Sequence, residues 1–399
     1  VTEQPPGPAR PVTEGQRSGG QRAGGQRAAR LIDIAAAVGV HPSTVSRVLN
    51  DGAGHSVRPE TVRRIRAEAR ARGYRPNALA RALRQHHTGA LAFVVPMLRN
   101  PIWVRLQRGA LLRAAERGYV VMITEEPLDR PMPPGMYRYL VAESRADGLL
   151  LATALRAGGA GEGSAGAGEG SAGAGEGSAD AGSADAGSAD AGSAAAGGQA
   201  DAALTAVPHV YVNRRGPRRG NDVVMDEAGA VRLFLEHVAG LGHRSVLLVD
   251  GPSDIDTVHR RVLATRRYGA ALGLRTVVRN APPTEDGGFT AIGRLLAAGP
   301  LPTAIGVGSI DQVFGVLSAL RRARVTVPGD VSVVSFDEDD YLAYLEVPVT
   351  AVCMPLAELG AAAVDALITR IDGGGGTDVL IKQPMALVAR ESVGPAPAR

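Results

Sequence analysis

From residue 88 onward the chain alternates short apolar runs with segments of helical spacing, and this alternation restricts the architecture more than any other feature. The runs are 90–95 (ALAFVV), 119–123 (YVVMI), 147–152 (DGLLLA), 208–212 (PHVYV), 245–249 (SVLLV), 303–307 (TAIGV) and 331–336 (VSVVSF), with helical spacing at 102–117, 228–240, 310–323 and 356–371. Strands that are apolar on both faces and separated by helices belong in parallel sheets covered on both sides. The pattern predicts an α/β body of doubly wound parallel sheets over 89–393, followed by a short tail at 394–399.

Two segments have too little to bury to join that core. Residues 1–29 mix Pro, Gly, Gln and Arg around a repeated GGQRA and read as a disordered arm. Residues 157–202 form a low-complexity acidic insertion in which GEGSAGA recurs every seven residues. No Leu, Ile, Val or Met occupies a repeat position, so there is no coiled-coil seam and the tract reads as a flexible linker. Setting both aside leaves 324 of 399 residues, enough for two or three domains.

Composition narrows the classes further. Cys353 is the one cysteine, which excludes an internal disulfide and a multi-thiolate zinc site. No apolar run reaches the roughly 18–20 residues of a membrane span. The first thirty residues lack the charged and apolar regions of a secretory signal, so a cytoplasmic protein with no membrane partner is expected. There is no G-x-S-x-G elbow, no H-E-x-x-H and no phosphate-cradling G-x-x-x-x-G-K, and the eight histidines are scattered. Neither an enzyme nor a metal or cofactor site is expected.

The net charge of +4 conceals an asymmetry: residues 1–89 carry 15 Arg against six acids, a net of +9, which leaves −5 for the remainder. A basic head on an acidic body points to a polyanion as partner of the head. Within the head, residues 30–75 satisfy the requirements of a helix-turn-helix. Ala35 is small enough for a helix crossing, Gly39 supplies the turn, and Ile34, Val38, Val40, Val45 and Val48 can pin the second helix on the first. That leaves Pro42, Ser43, Thr44, Ser46 and Arg47 facing outward. Short hydroxyls and an arginine suit the base edges of a major groove. Residues 76–88 (from PNALARALR onward) read as a further short helix and linker.

Residues 31–84, with DIAAAVGVHPSTVSRVLN and then VRPETVRRIRAEARARGYRPNALARALR, resemble the DNA-binding head of the lactose/galactose-repressor family of bacterial transcription regulators. The likeness continues through NPIW at 100–103, RADGLLL at 145–151, GLGHRSVLLVDGP at 240–252, VPGDVSVVSFDE at 327–338 and MPLAELG at 354–360. It implies a sequence-specific regulator, a repressor that binds double-stranded, near-palindromic operator DNA as a homodimer. Ser43, Thr44, Ser46, Arg47 and Asn50 become the recognition-helix contacts, with Thr44 and Arg47 foremost. His41 stands where relatives often carry a serine N-cap, so this helix should be capped differently or more weakly. Asn77, Ala80 and Leu83 match the hinge helix, Leu83 as the wedge between central base pairs. No heptad pattern follows Glu391, so dimers rather than tetramers are expected.

The resemblance makes the body a two-lobed, periplasmic-binding-protein-like effector domain. Ligands of open α/β sheets lie beyond the carboxyl ends of the strands, which selects Trp103, Asn213, Arg261, Ser309 and Asp337 for a sugar-like small-molecule effector. Each has a plainer alternative: a lobe salt bridge for Arg261, core filling for Trp103, a helix cap for Asp337. Two departures from the family pattern bear on the ligand. Ser309-Ile310 replaces the usual Asn-Asp, with Asp311 one place late, and Ala264-Thr265 replaces a Gly-aromatic pair. Two rival functions are a solute-binding protein of the two-lobed transport type and a ligand-independent regulator whose cleft has decayed.

Overall fold

The structure, a computed structural model, describes residues 30–50, 57–74, 87–127, 132–143, 145–152, 204, 207–217 and 219–398. The hinge residues Asn77, Ala80 and Leu83, the arm and the acidic insertion lie outside these. The chain separates into two compact units between Arg81 and Ala82, within the segment read as hinge and linker.

The first unit contains three described helices, α1 (Leu31–Val38), α2 (Pro42–Asn50) and α3 (Pro59–Ala71). Gly39 ends α1 at φ 73°, a left-handed conformation that glycine adopts without a Cβ penalty, and its N–H closes on the Ala35 carbonyl. The turn aims α2 so that Val45 and Val48 meet Ile34, Ala35 and Val38, with Ile65 and Ala69 of α3 completing the buried cluster. Val40 packs at its margin. Arg64 ties α3 to α1 by donating to the Val38 carbonyl at 3.2 Å.

The second unit has two sheets of the same winding. Strands β1 (Ala90–Val95), β2 (Val120–Glu125), β3 (Gly148–Leu151), β4 (His209–Val212) and β5 (Asp222–Met225) form the first. Strands β6 (Ser245–Asp250), β7 (Arg275–Asn280), β8 (Ala304–Val307), β9 (Ser332–Ser335) and β10 (Thr350–Cys353) form the second. With β11 (Val379–Ile381) and β12 (Ala386–Val388) at the edges, the orders are β11-β5-β4-β3-β1-β2 and β12-β10-β9-β8-β6-β7. All pairings are parallel except that of β10 with β12, which is antiparallel. The sheets are the doubly wound parallel ones expected, with one antiparallel edge: β12 follows β11 directly from the other sheet and returns along the rim without a helical crossover.

Helices α4 (Pro101–Glu116), α5 (Pro134–Ala142), α6 (Glu227–Gly240), α7 (Asp256–Ala271), α8 (Glu285–Ala298), α9 (Ile310–Arg322) and α10 (Leu356–Ile371) flank the sheets. None of the described helices is long and apolar enough to cross a membrane. The chain passes between lobes after β5, after β10 and between β11 and β12. Helix α10, entered from the second sheet, returns to cross α4 in the first lobe. There, a Cβ on Gly360 would come within 2.1 Å of the Leu106 carbonyl oxygen, and one on Gly109 within 1.9 Å of that of Ala357. One apolar cluster, containing Phe93, Leu106, Phe234, Phe336, Leu359 and Val364, therefore runs through both lobes.

Candidate functional site

In each sheet the strand order reverses beside the first strand, between β1 and β3 and between β6 and β8. Such switch points open a crevice beyond the carboxyl ends of the strands. A cavity of about 110 Å³ lies there between the lobes, and all five residues selected from the sequence line it: Trp103, Asn213, Arg261, Ser309 and Asp337.

Each is placed by its element. Trp103 sits in the first turn of α4, where the Asn100 side chain caps the helix by accepting from the Ile102 N–H at 3.1 Å. It is partly buried and packs on the core that spans both lobes, so core filling and cavity lining are compatible. Asn213 follows β4 directly and holds φ 57°, a left-handed conformation uncommon outside glycine and characteristic of constrained sites. Ser309 is the N-cap residue of α9 without making a side-chain cap bond. Asp337 leaves β9 and does not cap a described helix; the following 3-10 turn, Asp340–Ala343, is capped by Asp339. Arg261 lies in the second turn of α7 rather than at a strand end.

Arg261 is the electrostatic centre. Its Nε lies 3.0 Å from Asp250 Oδ2 and 3.7 Å from Glu227 Oε2, its Nη1 donates to the Gly308 carbonyl at 3.1 Å, and its guanidinium stands 5.5 Å from the Phe336 ring centre. Burial works against its charge, but Asp250, Glu227 and Asp337 together outweigh it and push the pKa up. The salt-bridge alternative for Arg261 is thus realised at the cavity itself. Desolvation raises the carboxyls of Glu227 and Asp250 against the pull of Arg261. It carries Asp337 to about 7, again with Arg261 opposing. Buried Arg214, also on the lining, is lowered by desolvation to about 10.

Several of these polar atoms make no hydrogen bond among the described residues: Asn213 Oδ1, Arg214 Nη1, Glu227 Oε2, Asp250 Oδ2, Arg261 Nε, Ser309 Oγ and Asp337 Oδ1. Buried polar groups are ordinarily satisfied, so a wall carrying this many is suited to a polar ligand. The lobes meet around the cavity through Arg105, which donates to the Glu338 carbonyl at 2.7 Å, the Arg215 N–H, which donates to Asp256 at 3.1 Å, and an Arg99–Glu285 ion pair.

Sequence reasoning did not single out Glu227, Asp250 or Arg214. Asp250 had a signal, a carboxylate ending the apolar run 245–249. Glu227 follows β5, which the apolar-run pattern did not reveal. The departures noted in sequence have physical counterparts: Asp311 is buried beside Ser309 at the start of α9, and Thr265 is fully buried in α7.

On the head, Ser43 and Arg47 are exposed, while Pro42, Thr44 and Ser46 are half-buried beside the pins. Asn50 ends the same helix. His41 replaces the serine cap in its own way: Nδ1 lies 3.3 Å from the Ser43 N–H that it accepts and 2.8 Å from Ser43 Oγ.

A helical head of helix-turn-helix geometry and a two-lobed α/β body with a polar crevice define a ligand-responsive DNA-binding regulator. The comparisons agree. Residues 30–77 match the family described as bacterial regulatory proteins, lacI family, and residues 235–393 match the periplasmic binding protein-like domain. An HTH-type transcriptional regulator of Streptomyces limosus is 33% identical over 176 residues, 41% of this chain and 48% of that protein. The ribose operon repressor of Escherichia coli K12 is 25% identical over 86% of this chain and 93% of that protein. Among solved structures, the lac repressor dimer bound to operator and the anti-inducer ONPF superimposes with a TM-score of 0.72 at 22% identity, covering 92% of this chain and all of that one. The chain thus carries a lacI-family DNA-binding head and a periplasmic binding protein-like domain, and its relatives include operon repressors.

Proposed function

We propose that this protein is a cytoplasmic repressor that binds a near-palindromic operator as a homodimer and is modulated by a hydroxyl-rich small molecule held between its lobes. It is not an enzyme on this reading. The observation that carries it is the pairing of a lacI-type head with a cavity lined by all five residues chosen as effector contacts. The names of its relatives, a ribose operon repressor and an operator-bound lac repressor, support the same logic of DNA partner and sugar-like effector.

In the proposed mechanism α2 enters the major groove. Ser43, Thr44, Ser46, Arg47 and Asn50 reach base edges and nearby phosphates, while Asn77, Ala80 and Leu83 of the hinge act in the minor groove. Effector contacts come from Trp103, Asn213, Arg261, Ser309 and Asp337. An effector shifts operator affinity only by as much as it prefers one lobe arrangement over another, and the bridges from Arg99, Arg105 and Arg215 are the contacts such a preference would make or break. The unmatched polar wall argues against a decayed cleft, and the head against a transport protein.

Dimerisation has a surface to use. Val104, Leu111 and Leu112 on α4 and Val120, Met122 and Ile123 on the edge strand β2 are exposed apolar side chains in the first lobe. Contiguous patches of this kind mark interaction sites. The test is operator retention by purified full-length protein on fragments flanking its own gene, with and without monosaccharides. Specific retention that a sugar alters bears out the proposal; uniform salt-sensitive binding to all fragments contradicts it.

A further inference from the structure

The cleft holds more buried negative charge than the protein neutralises. Glu227, Asp250 and Asp337 are each at most 3% exposed, and Arg261 is the cation that acts on all three. Of the neighbouring guanidiniums, Arg260 pairs with Asp256 at 3.0 Å, while Asp256 and Glu126 act on Arg214 without offsetting its desolvation. On the cavity lining itself three carboxylates (Glu227, Asp250 and Asp337) stand against two guanidiniums (Arg214 and Arg261).

Among the described residues three acceptors lack partners, Asn213 Oδ1, Glu227 Oε2 and Asp337 Oδ1, while Asp250 Oδ2 faces Arg261 Nε at 3.0 Å. Three atoms able to donate also lack partners, Arg214 Nη1, Arg260 Nη2 and Ser309 Oγ, so it is the excess of carboxylate charge that favours a cation. A hydroxyl brings one donor and two lone pairs, whereas an ammonium brings three donors, no acceptor and a positive charge. Buried carboxylates are costly unless both paired and hydrogen-bonded, so the second kind of group satisfies this wall better.

Asp250 is held for such a role. Its Oδ1 accepts the Gly251 N–H at 2.8 Å, leaving Oδ2 toward Arg261. Opposite, a Cβ on Gly308 would come within 2.0 Å of Oδ1, so the bare glycine is what admits the carboxylate at the strand ends. A cavity of about 110 Å³ is somewhat smaller than the roughly 150 Å³ that takes one benzene ring. A single small ring is therefore the upper limit, and filling the cavity with one requires the lobes to part slightly.

We propose that the cleft selects a monosaccharide-sized polyol bearing a primary amine, an amino sugar being the simplest case, over its neutral counterpart, with Asp250 as the specificity-determining residue. This rests on the effector reading above. The test is calorimetric titration of the full-length protein with matched pairs: glucose and glucosamine, galactose and galactosamine, mannose and mannosamine. At least one amine should bind tenfold or more tighter than its parent, and Asp250→Asn should cost the amine at least tenfold more affinity than it costs the parent, so that the advantage disappears.

A second readout needs no variant. Asp337, faced by Arg261 from α7, Glu227 from α6, Asp250 from β6 and Asp311 from α9, is partly protonated near neutrality. A bound ammonium favours its carboxylate, so binding at pH 6, where the free amine is already fully protonated, should release a fraction of a proton, seen as heats that vary with buffer ionisation enthalpy. Neutral sugars binding as tightly as every amine, or amine binding with net proton uptake, overturns the proposal and leaves the effector reading standing. No binding by either series overturns both.

Discussion

The most exposed physical claim at the scale of single residues is Asp337, a buried carboxyl held to about 7 by desolvation against the attraction of Arg261. An unfolded aspartate titrates near 3.9, so the folded chain binds the extra proton between about pH 4 and pH 7. The linkage sign follows: the contribution is fully present below the unfolded pKa and is lost as pH rises through 7. Asp337→Asn should therefore raise the melting temperature most above pH 7, with the gap closing toward pH 4. About three units at roughly 1.4 kcal/mol each bound the effect at on the order of 4 kcal/mol. Parallel melting curves at all pH values would contradict it. In the head, Arg47→Ala should cost about 1–3 kcal/mol and relax base preference at one position of each half-site in a binding-site selection. Equal loss on every sequence would make Arg47 a phosphate contact. Trp103 and Arg261, in the first and second turns of helices, were reached through the family resemblance, whereas Asn213, Ser309 and Asp337 were legible because they lie just after strands that announce themselves as apolar runs. Asp250 and Glu227 were not, since a carboxylate at a strand end looks like an ordinary solvated turn until the opposing lobe buries it.

At the scale of elements, the crossing of α4 and α10 carries the lobe architecture. Gly360→Ala would place a Cβ 2.1 Å from the Leu106 carbonyl, so the helices must separate, at a loss of about 1–3 kcal/mol measured by urea denaturation. An unchanged midpoint would show that the crossing is looser than described. The outer face of α4 makes a separate prediction. Leu112, 60% exposed, is expected at the dimer interface, and Leu112→Arg should shift sedimentation from dimer to monomer while leaving far-UV circular dichroism intact. A dimer that survives the change places the interface elsewhere. Which elements the sequence revealed follows from the length and continuity of the apolar run. The strands β1, β3, β4, β6, β8 and β9 are buried through nearly their whole length and read as continuous apolar runs. By contrast β7 is bounded by Arg275, Arg279 and Asn280 at a sheet edge, β11 and β12 have three residues each, β5 is a four-residue strand that begins with Asp222 and is followed by Asp226, and β10 is a four-residue strand between Pro348 and Pro355. Edge position and shortness erase the period that sequence reasoning depends on.

At the scale of the whole molecule, the two sheets share one winding order, and three passages of the chain join them, so a ligand between them touches elements from both. The expectation is that effector binding and operator affinity are thermodynamically linked, each altering the other by the same factor. The central claim is tested most directly by footprinting purified full-length protein on the DNA around its own gene, at modest ionic strength, with and without the glucose, galactose and mannose pairs. The account predicts one protected near-palindrome of two half-sites whose occupancy changes by at least fivefold with a sugar or amino sugar. Protection of no discrete site, or a site indifferent to every compound that the cleft demonstrably binds, would contradict it.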